Sequence, residues 1–188
     1  MSESRVAMLP ADAAKKTAEE VGLPGAMADL NVFRVLLRRP PLAKAVNDLL
    51  LALLFRGVLD HRLRELVIMR IGWATGADYE WTQHWRVARE LDIAAEDLLA
   101  VRDWRRSDRF DDRDRAVLAA TDETLADGRI SDATWGECCR HLPSEPERIE
   151  LVAAIGCWRM ISSVLRSLEV PLEDGVEPWP PDGASPTA

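Results

Sequence analysis

Glu65, Glu80 and His84 are the residues of this chain whose types and spacing suit proton-transfer chemistry. On a helix that advances about 100° per residue, Ala77, Glu80, Trp81, His84, Ala88 and Leu91 fall on one face. That stripe is apolar apart from Glu80 and His84, so two titratable groups point toward a core. They are four residues apart, close enough to share a proton or a hydrogen bond. One helix earlier, Glu65, Met69, Gly72 and Gly76 share a face, and the two glycines allow a neighbouring backbone to come close. A tight turn at Gly76 would fold the two helices into an antiparallel hairpin and carry Glu65 toward His84. Two carboxylates beside an imidazole in a desolvated place perturb one another's pKa values, which suits general acid and base work near neutral pH. The bland alternative is a helix-surface Glu/His pair contributing roughly a few tenths of a kcal/mol.

Helices must position these groups, because strand signals are scarce and apolar residues recur mostly at spacings of three and four. The expected class is all-α. A first helix is expected near Asp12 to Val21, a break at Leu23-Pro24-Gly25, and a short helix from about Leu30 to Arg38. Pro40 and Pro41 suit the first turn of a helix reaching about Arg56, and its apolar run Leu49 to Phe55 reads as buried. Asp60 is placed to cap a central helix ending at Gly76, and the next runs to about Leu91. Further helices are expected near Ala95 to Val101, Asp111 to Asp127 and Ser131 to His141. Ser144 and Glu147 form a capping-box pattern before a long helix to Leu168, whose Ile149, Val152, Ala153, Ile155, Gly156 and Ile161 read as core. The expected organisation is residues 1–24 as an N-terminal segment with a weak helix, 25–172 as one helical domain, and 173–188 as an extended or disordered tail.

With 188 residues, the chain suits a single core. Its formal charge of -8 argues against a nucleic-acid partner, since backbone phosphates need concentrated positive charge. The arginine clusters Arg105-Arg106 and Arg113-x-Arg115 are interleaved with aspartates and read as solvated faces. The first ten residues lack the pattern of a signal peptide, and no apolar run approaches the roughly 20 residues of a membrane span, so a cytoplasmic protein with no membrane partner is expected. Cys138, Cys139 and Cys157 form no Cys-x-x-Cys and read as structural thiols.

The stretch Leu63-Arg64-Glu65-Leu66-Val67 and the run Gly76-Ala77-Asp78-Tyr79-Glu80-Trp81-Thr82-Gln83-His84 together resemble the signature of the carboxymuconolactone decarboxylase superfamily. Flanking similarity extends from Asn31-Val32-Phe33-Arg34 to Gly156-Cys157-Trp158-Arg159-Met160. The resemblance implies an AhpD-like helical domain, a homo-oligomer, a small-molecule substrate and no cofactor. In the AhpD-like branch a glutamate precedes a Cys-x-x-Cys and a histidine follows it. Those positions fall here on Glu65, Ala77, Glu80 and His84, so the carboxylate and the imidazole match and both cysteines are missing. A thiol peroxidase needs a thiolate and a resolving thiol, and the implied chemistry shifts to the decarboxylase side. There His84 would donate a proton to a dienolate, Glu80 would orient it and Glu65 would serve as partner base. Tyr79, Trp81 and Arg159 are the substrate-binding candidates, with Trp73 and Trp85 as further apolar walls. Tyr79 is turned about 140° from His84, and for Arg159 a helix-surface or interhelix ion pair is the favoured reading.

Three rival readings remain at the level of sequence. His61, Glu65, Glu80 and His84 could gather a metal, although no metal is expected from this spacing. The apolar helices could serve a non-catalytic module that works by association. The same acid/base set could also run an isomerase, a hydratase or a lactone-opening reaction.

Overall fold

The computed structural model describes residues 4–186, which contain helices and turns and no strand. The chain falls into two compact units, one made of residues up to Arg56 with Val164–Val176, the other of Gly57–Ser163 with the C-terminal residues from Glu177.

The first unit holds α1 (Ala11–Glu20), a 3-10 turn (Gly25–Asp29), α2 (Asn31–Leu36) and α3 (Pro40–Phe55). Asn31 organises its far end: the backbone N–H donates to Glu173 Oε1 at 2.9 Å and the side-chain amide to the Pro171 and Leu172 carbonyls. The Leu49 to Phe55 run departs from the expected buried helix. Ala43, Val46 and Leu53 form the inward stripe of α3, whereas Leu42, Leu49 and Phe55 are exposed. A helix apolar all round buries only the side that meets a neighbour, and sequence does not say how many neighbours there are.

The second unit is built on α4 (His61–Thr75). Asp60 caps it, accepting from the Leu63 N–H at 3.1 Å. Leu63, Leu66, Val67, Ile68, Met69 and Ile71 are buried, which makes α4 central as its composition implied. Gly76 ends it in the left-handed region at φ 67°, and the Gly76 and Ala77 N–H groups return to the Trp73 and Gly72 carbonyls. The chain reverses at once into α5 (Asp78–Glu90). A Cβ at Gly72 would stand 3.1 Å from the Trp81 backbone nitrogen, so glycine sets the close approach of the two hairpin helices.

After α6 (Ala95–Ala100) and a 3-10 turn (Val101–Asp103), α7 (Asp112–Asp127) packs along α4. Arg62 pairs with Asp114 at 2.6 Å and Arg70 with Asp122 at 2.6 Å. Each pair steps by the same interval, so α4 and α7 run in the same direction. Asp97 adds a second carboxylate to Arg62, and Asp122 also accepts from Trp104 and Arg105. Next come α8 (Asp132–His141) and α9 (Glu145–Leu168), with Ser144 and Glu147 exchanging the two expected capping-box bonds.

The core of α9 differs from the sequence reading. Leu151, Ala154, Ile155, Trp158 and Ile161 are buried, while Ile149, Val152 and Met160 are exposed and Gly156 lies on their side. The helix has apolar residues on both faces, and the buried one is fixed by packing that periodicity cannot reveal. At 24 residues α9 has the length and composition of a membrane span, but its Leu151 to Ile161 stripe is packed inside the protein.

Candidate active site

The hairpin brings Glu65 and His84 together. His84 Nδ1 lies 2.7 Å from Glu65 Oε2, and the other Glu65 oxygen takes the Arg64 guanidinium at 3.0 to 3.1 Å. On the far side of the imidazole, Trp158 of α9 donates its indole N–H to His84 Nε2 at 3.0 Å, with the rings edge to face. An indole nitrogen only donates, so Nε2 must hold a lone pair. The proton of the neutral ring therefore sits on Nδ1 and is donated to Glu65. Both nitrogens are thus engaged, and the ring is held at two points.

Glu80 completes the cluster without joining these bonds. Its Oε2 is 3.8 Å from His84 Nε2, is buried and has no hydrogen-bond partner. An ionised carboxylate left so is costly, and burial pushes the Glu80 pKa up to about 7; the nearby Glu65 charge adds to the rise and His84 opposes it. Burial alone would raise Glu65 and lower His84, yet their mutual attraction wins for both. Glu65 is held below its ordinary value by His84 and Arg64, and His84 is held above its own by Glu65, with Glu80 adding to the effect. These opposing demands meet at Nε2. A proton on Nε2 would displace the Trp158 N–H bond, and Glu80 Oε2 stands 3.8 Å from that nitrogen.

Solvent reaches the cluster chiefly at the imidazole, since side-chain exposure is 0% for Glu65, 6% for Glu80 and 12% for His84. A cavity of about 460 Å³ in the same unit is lined by residues including Trp104, Arg115 and Glu137 and does not take in the cluster. Cys157, next to Trp158 on α9, is a buried thiol pushed up to about 11 by burial and then by the Glu80 carboxylate, so it is no ready nucleophile.

The substrate-binding candidates lie apart from these bonds. Tyr79 is buried, and Trp81 is fully buried within a tryptophan group containing Trp73 and Trp85. Arg159 donates to the Thr124 carbonyl at 2.9 Å, at the C-terminal end of α7. Of the metal candidates, His61 is exposed at the start of α4 while Glu65 is fully buried, and among the described residues no three His, Cys, Asp or Glu side chains form a metal-binding group. Sequence reasoning passed over Arg64 and Trp158 as members of the cluster. Arg64 is legible as the neighbour of Glu65 within the motif; Trp158 comes from 74 residues further on and carries no spacing signal.

The all-helical hairpin buries a glutamate, a histidine and a second carboxyl group. Residues 40–123 match the carboxymuconolactone decarboxylase family, and the fold is AhpD-like. The structure is similar to an alkylhydroperoxidase AhpD core, an uncharacterized peroxidase-related protein from Ralstonia eutropha JMP134, at 18% identity and TM-score 0.73 over 93% of this chain and 94% of that one. An uncharacterized peroxidase-related protein from Silicibacter sp. TM1040 aligns at 15% identity and TM-score 0.70, covering 94% of this chain and 92% of its own. The debrominase Bmp8, solved in complex with 2,3,4-tribromopyrrole, aligns at 19% identity and TM-score 0.68 over 87% and 85%. At these identities the likeness establishes the fold. A search of curated proteins found no match.

Proposed function

We propose that this protein is a cofactor-independent acid/base enzyme acting on a small unsaturated lactone or carboxylic acid, by decarboxylation, isomerisation or ring opening. The observation that carries the reading is Glu80 Oε2, buried and without a hydrogen-bond partner, beside an imidazole fixed by Glu65 and Trp158. A carboxyl group with a pKa of about 7 is half protonated at neutral pH, where a general acid is most effective. The geometry favours Glu80 over His84 as the group that meets substrate, because both imidazole nitrogens are already engaged.

In a decarboxylation, the bond from substrate carbon to carboxylate breaks, carbon dioxide leaves, and the electron pair moves into the conjugated carbonyl. Neutral Glu80 then protonates the dienolate carbon, and the proton is replaced from solvent by way of His84, the most exposed member of the cluster. The Arg64-held Glu65 carboxylate stabilises the imidazolium formed in passing. An isomerisation uses the same groups, with the proton removed at one carbon and returned at another. Thiol peroxidase chemistry is not expected, since Ala77 and Glu80 stand where the AhpD-like branch would place its cysteines.

The experiment is a panel of unsaturated lactone acids and alkyl hydroperoxides in D2O. The reading expects deuterium incorporation or carbon dioxide release from at least one acid, loss of that activity by about 100-fold or more in Glu80→Gln, and no hydroperoxide consumption. Turnover that survives both Glu80→Gln and His84→Gln would overturn it. A second reading, a non-catalytic helical module that assembles with itself, is favoured by the exposed apolar residues Phe55 on α3 and Ile149 on α9. It predicts a stable oligomer with no turnover across the whole panel.

A further inference from the structure

The C-terminal residues from Glu177 lie over the tryptophan group and supply it with two chemical features that a small ligand would also bring. Trp179 sets its ring 5.8 Å from Trp73, edge to face, and 5.9 Å from Trp81. Asp182 presents its carboxylate to both terminal nitrogens of Arg102, at 2.7 and 2.9 Å. That guanidinium is itself seated on aromatic faces, 4.6 Å from the Trp73 centroid and 4.8 Å from that of Trp81. Beneath, Trp85 stacks on Trp81 at 6.3 Å. Flat apolar walls around an arginine that can grip a carboxylate with two parallel bonds are the elements that recognise an aromatic acid.

Three observations mark the covering segment as an occupant that can leave. Its attachment is polar and lies at the surface: among the described residues, beside the Trp179 ring and the Asp182 carboxylate, the Trp179 N–H donates to Thr82 Oγ1 and the Trp81 indole N–H donates to the Pro180 carbonyl. The Asp182 side chain stays 46% exposed, so the ion pair is open to water and salt. Trp179 sits at φ 56°, a left-handed backbone that a bulky residue adopts only under strain. The fit is also incomplete from the arginine's side. Asp182 engages the guanidinium end-on, and Arg102 Nε is left buried with no partner, a donor that a carboxylate approaching from the side would satisfy.

We propose that Trp73, Trp81, Trp85 and Arg102 form a binding site for a small aromatic carboxylate, which residues 177–186 cover with their own indole and carboxylate. The segment then acts as a competing internal ligand: external acid binds only as the segment lifts, and its apparent affinity is reduced by the covered fraction. This inference is independent of the acid/base reading, because its readout is binding rather than turnover.

The test uses the full chain and 2-naphthoate as probe, followed by isothermal titration calorimetry. The variant Trp179→Ala/Asp182→Asn, checked by circular dichroism for native helix content, should bind 2-naphthoate at least tenfold more tightly than the parent protein. Adding Arg102→Gln to that background should weaken binding at least tenfold, and 2-naphthalenemethanol, which lacks the carboxylate, should bind no better to the double variant than to the triple one. Should the double variant lose its helices, Asp182→Asn alone must still raise the affinity, since it changes one half-exposed side chain. Affinity no greater than that of the parent in a folded variant would overturn the proposal, as would tight binding that ignores Arg102.

Discussion

Replacing Glu80 with glutamine should make the protein more stable at alkaline pH, an unusual direction for a buried polar substitution. A carboxyl raised from 4.5 to about 7 holds its proton in the folded state over a range where the unfolded chain has lost it. The folded state therefore binds more protons than the unfolded one between those values, and stability falls as pH rises from the ordinary value through the folded one. At about 1.4 kcal/mol per pH unit the full effect is about 3 kcal/mol, most of which falls between pH 5 and pH 8. Glutamine keeps the shape and cannot ionise, so the penalty vanishes. Glu65 titrates in both proteins and largely drops out of the difference, while His84 in the variant loses the part of its rise that Glu80 supplies. Urea unfolding at pH 5 and pH 8 reads it directly: the variant minus parent difference should grow by about 2 to 3 kcal/mol at the higher pH, a midpoint shift of roughly 1 M urea. A difference that stays constant across this range would refute the assignment of a proton to Glu80.

Trp158→Phe keeps an aromatic side chain and removes the N–H that holds the lone pair at His84 Nε2, so the His84 pKa should rise further, as read by nitrogen-15 NMR titration of the imidazole; no change would mean the indole bond does not select the neutral ring. Gly76→Ala forces a Cβ into the left-handed turn of the hairpin and should cost about 1 to 2 kcal/mol in thermal or urea unfolding, whereas a neutral result would show that the turn relaxes. Asp122→Ala removes the carboxylate that Arg70, Trp104 and Arg105 share and should cost about 2 to 4 kcal/mol, mainly by stranding the half-buried Arg70. If the exposed apolar face of α9 serves self-association, Ile149→Glu should shift sedimentation toward monomer with little change in helix content.

The hairpin was legible because its signals are local: Asp60 to cap, Gly72 and Gly76 to approach and turn, and a Glu65 face opposite a His84 face. The Glu65–His84 bond followed from that geometry, and Glu80 from its spacing within one helix. Trp158 was hidden because a contact across 74 residues depends on where α9 packs, which no period encodes. Ile149 and Val152 misled for the same reason. An apolar side chain reads alike whether it faces its own core or another surface, and α9 has both. The chain beyond Glu177 was unreadable in a different way. Its prolines and glycines point to an absence of helix, and they are silent about Trp179 and Asp182 meeting Trp81 and Arg102.

Infrared difference spectroscopy on the Glu80 carboxyl tests the central claim most directly. A protonated carboxylic acid in a dry site gives a carbonyl band well separated from carboxylates. Such a band should be present at pH 6, vanish with a midpoint near 7, and be missing from Glu80→Gln. A Glu80 band that disappears near pH 4.5, as an ordinary solvated glutamate would, contradicts the buried acid and the chemistry built on it.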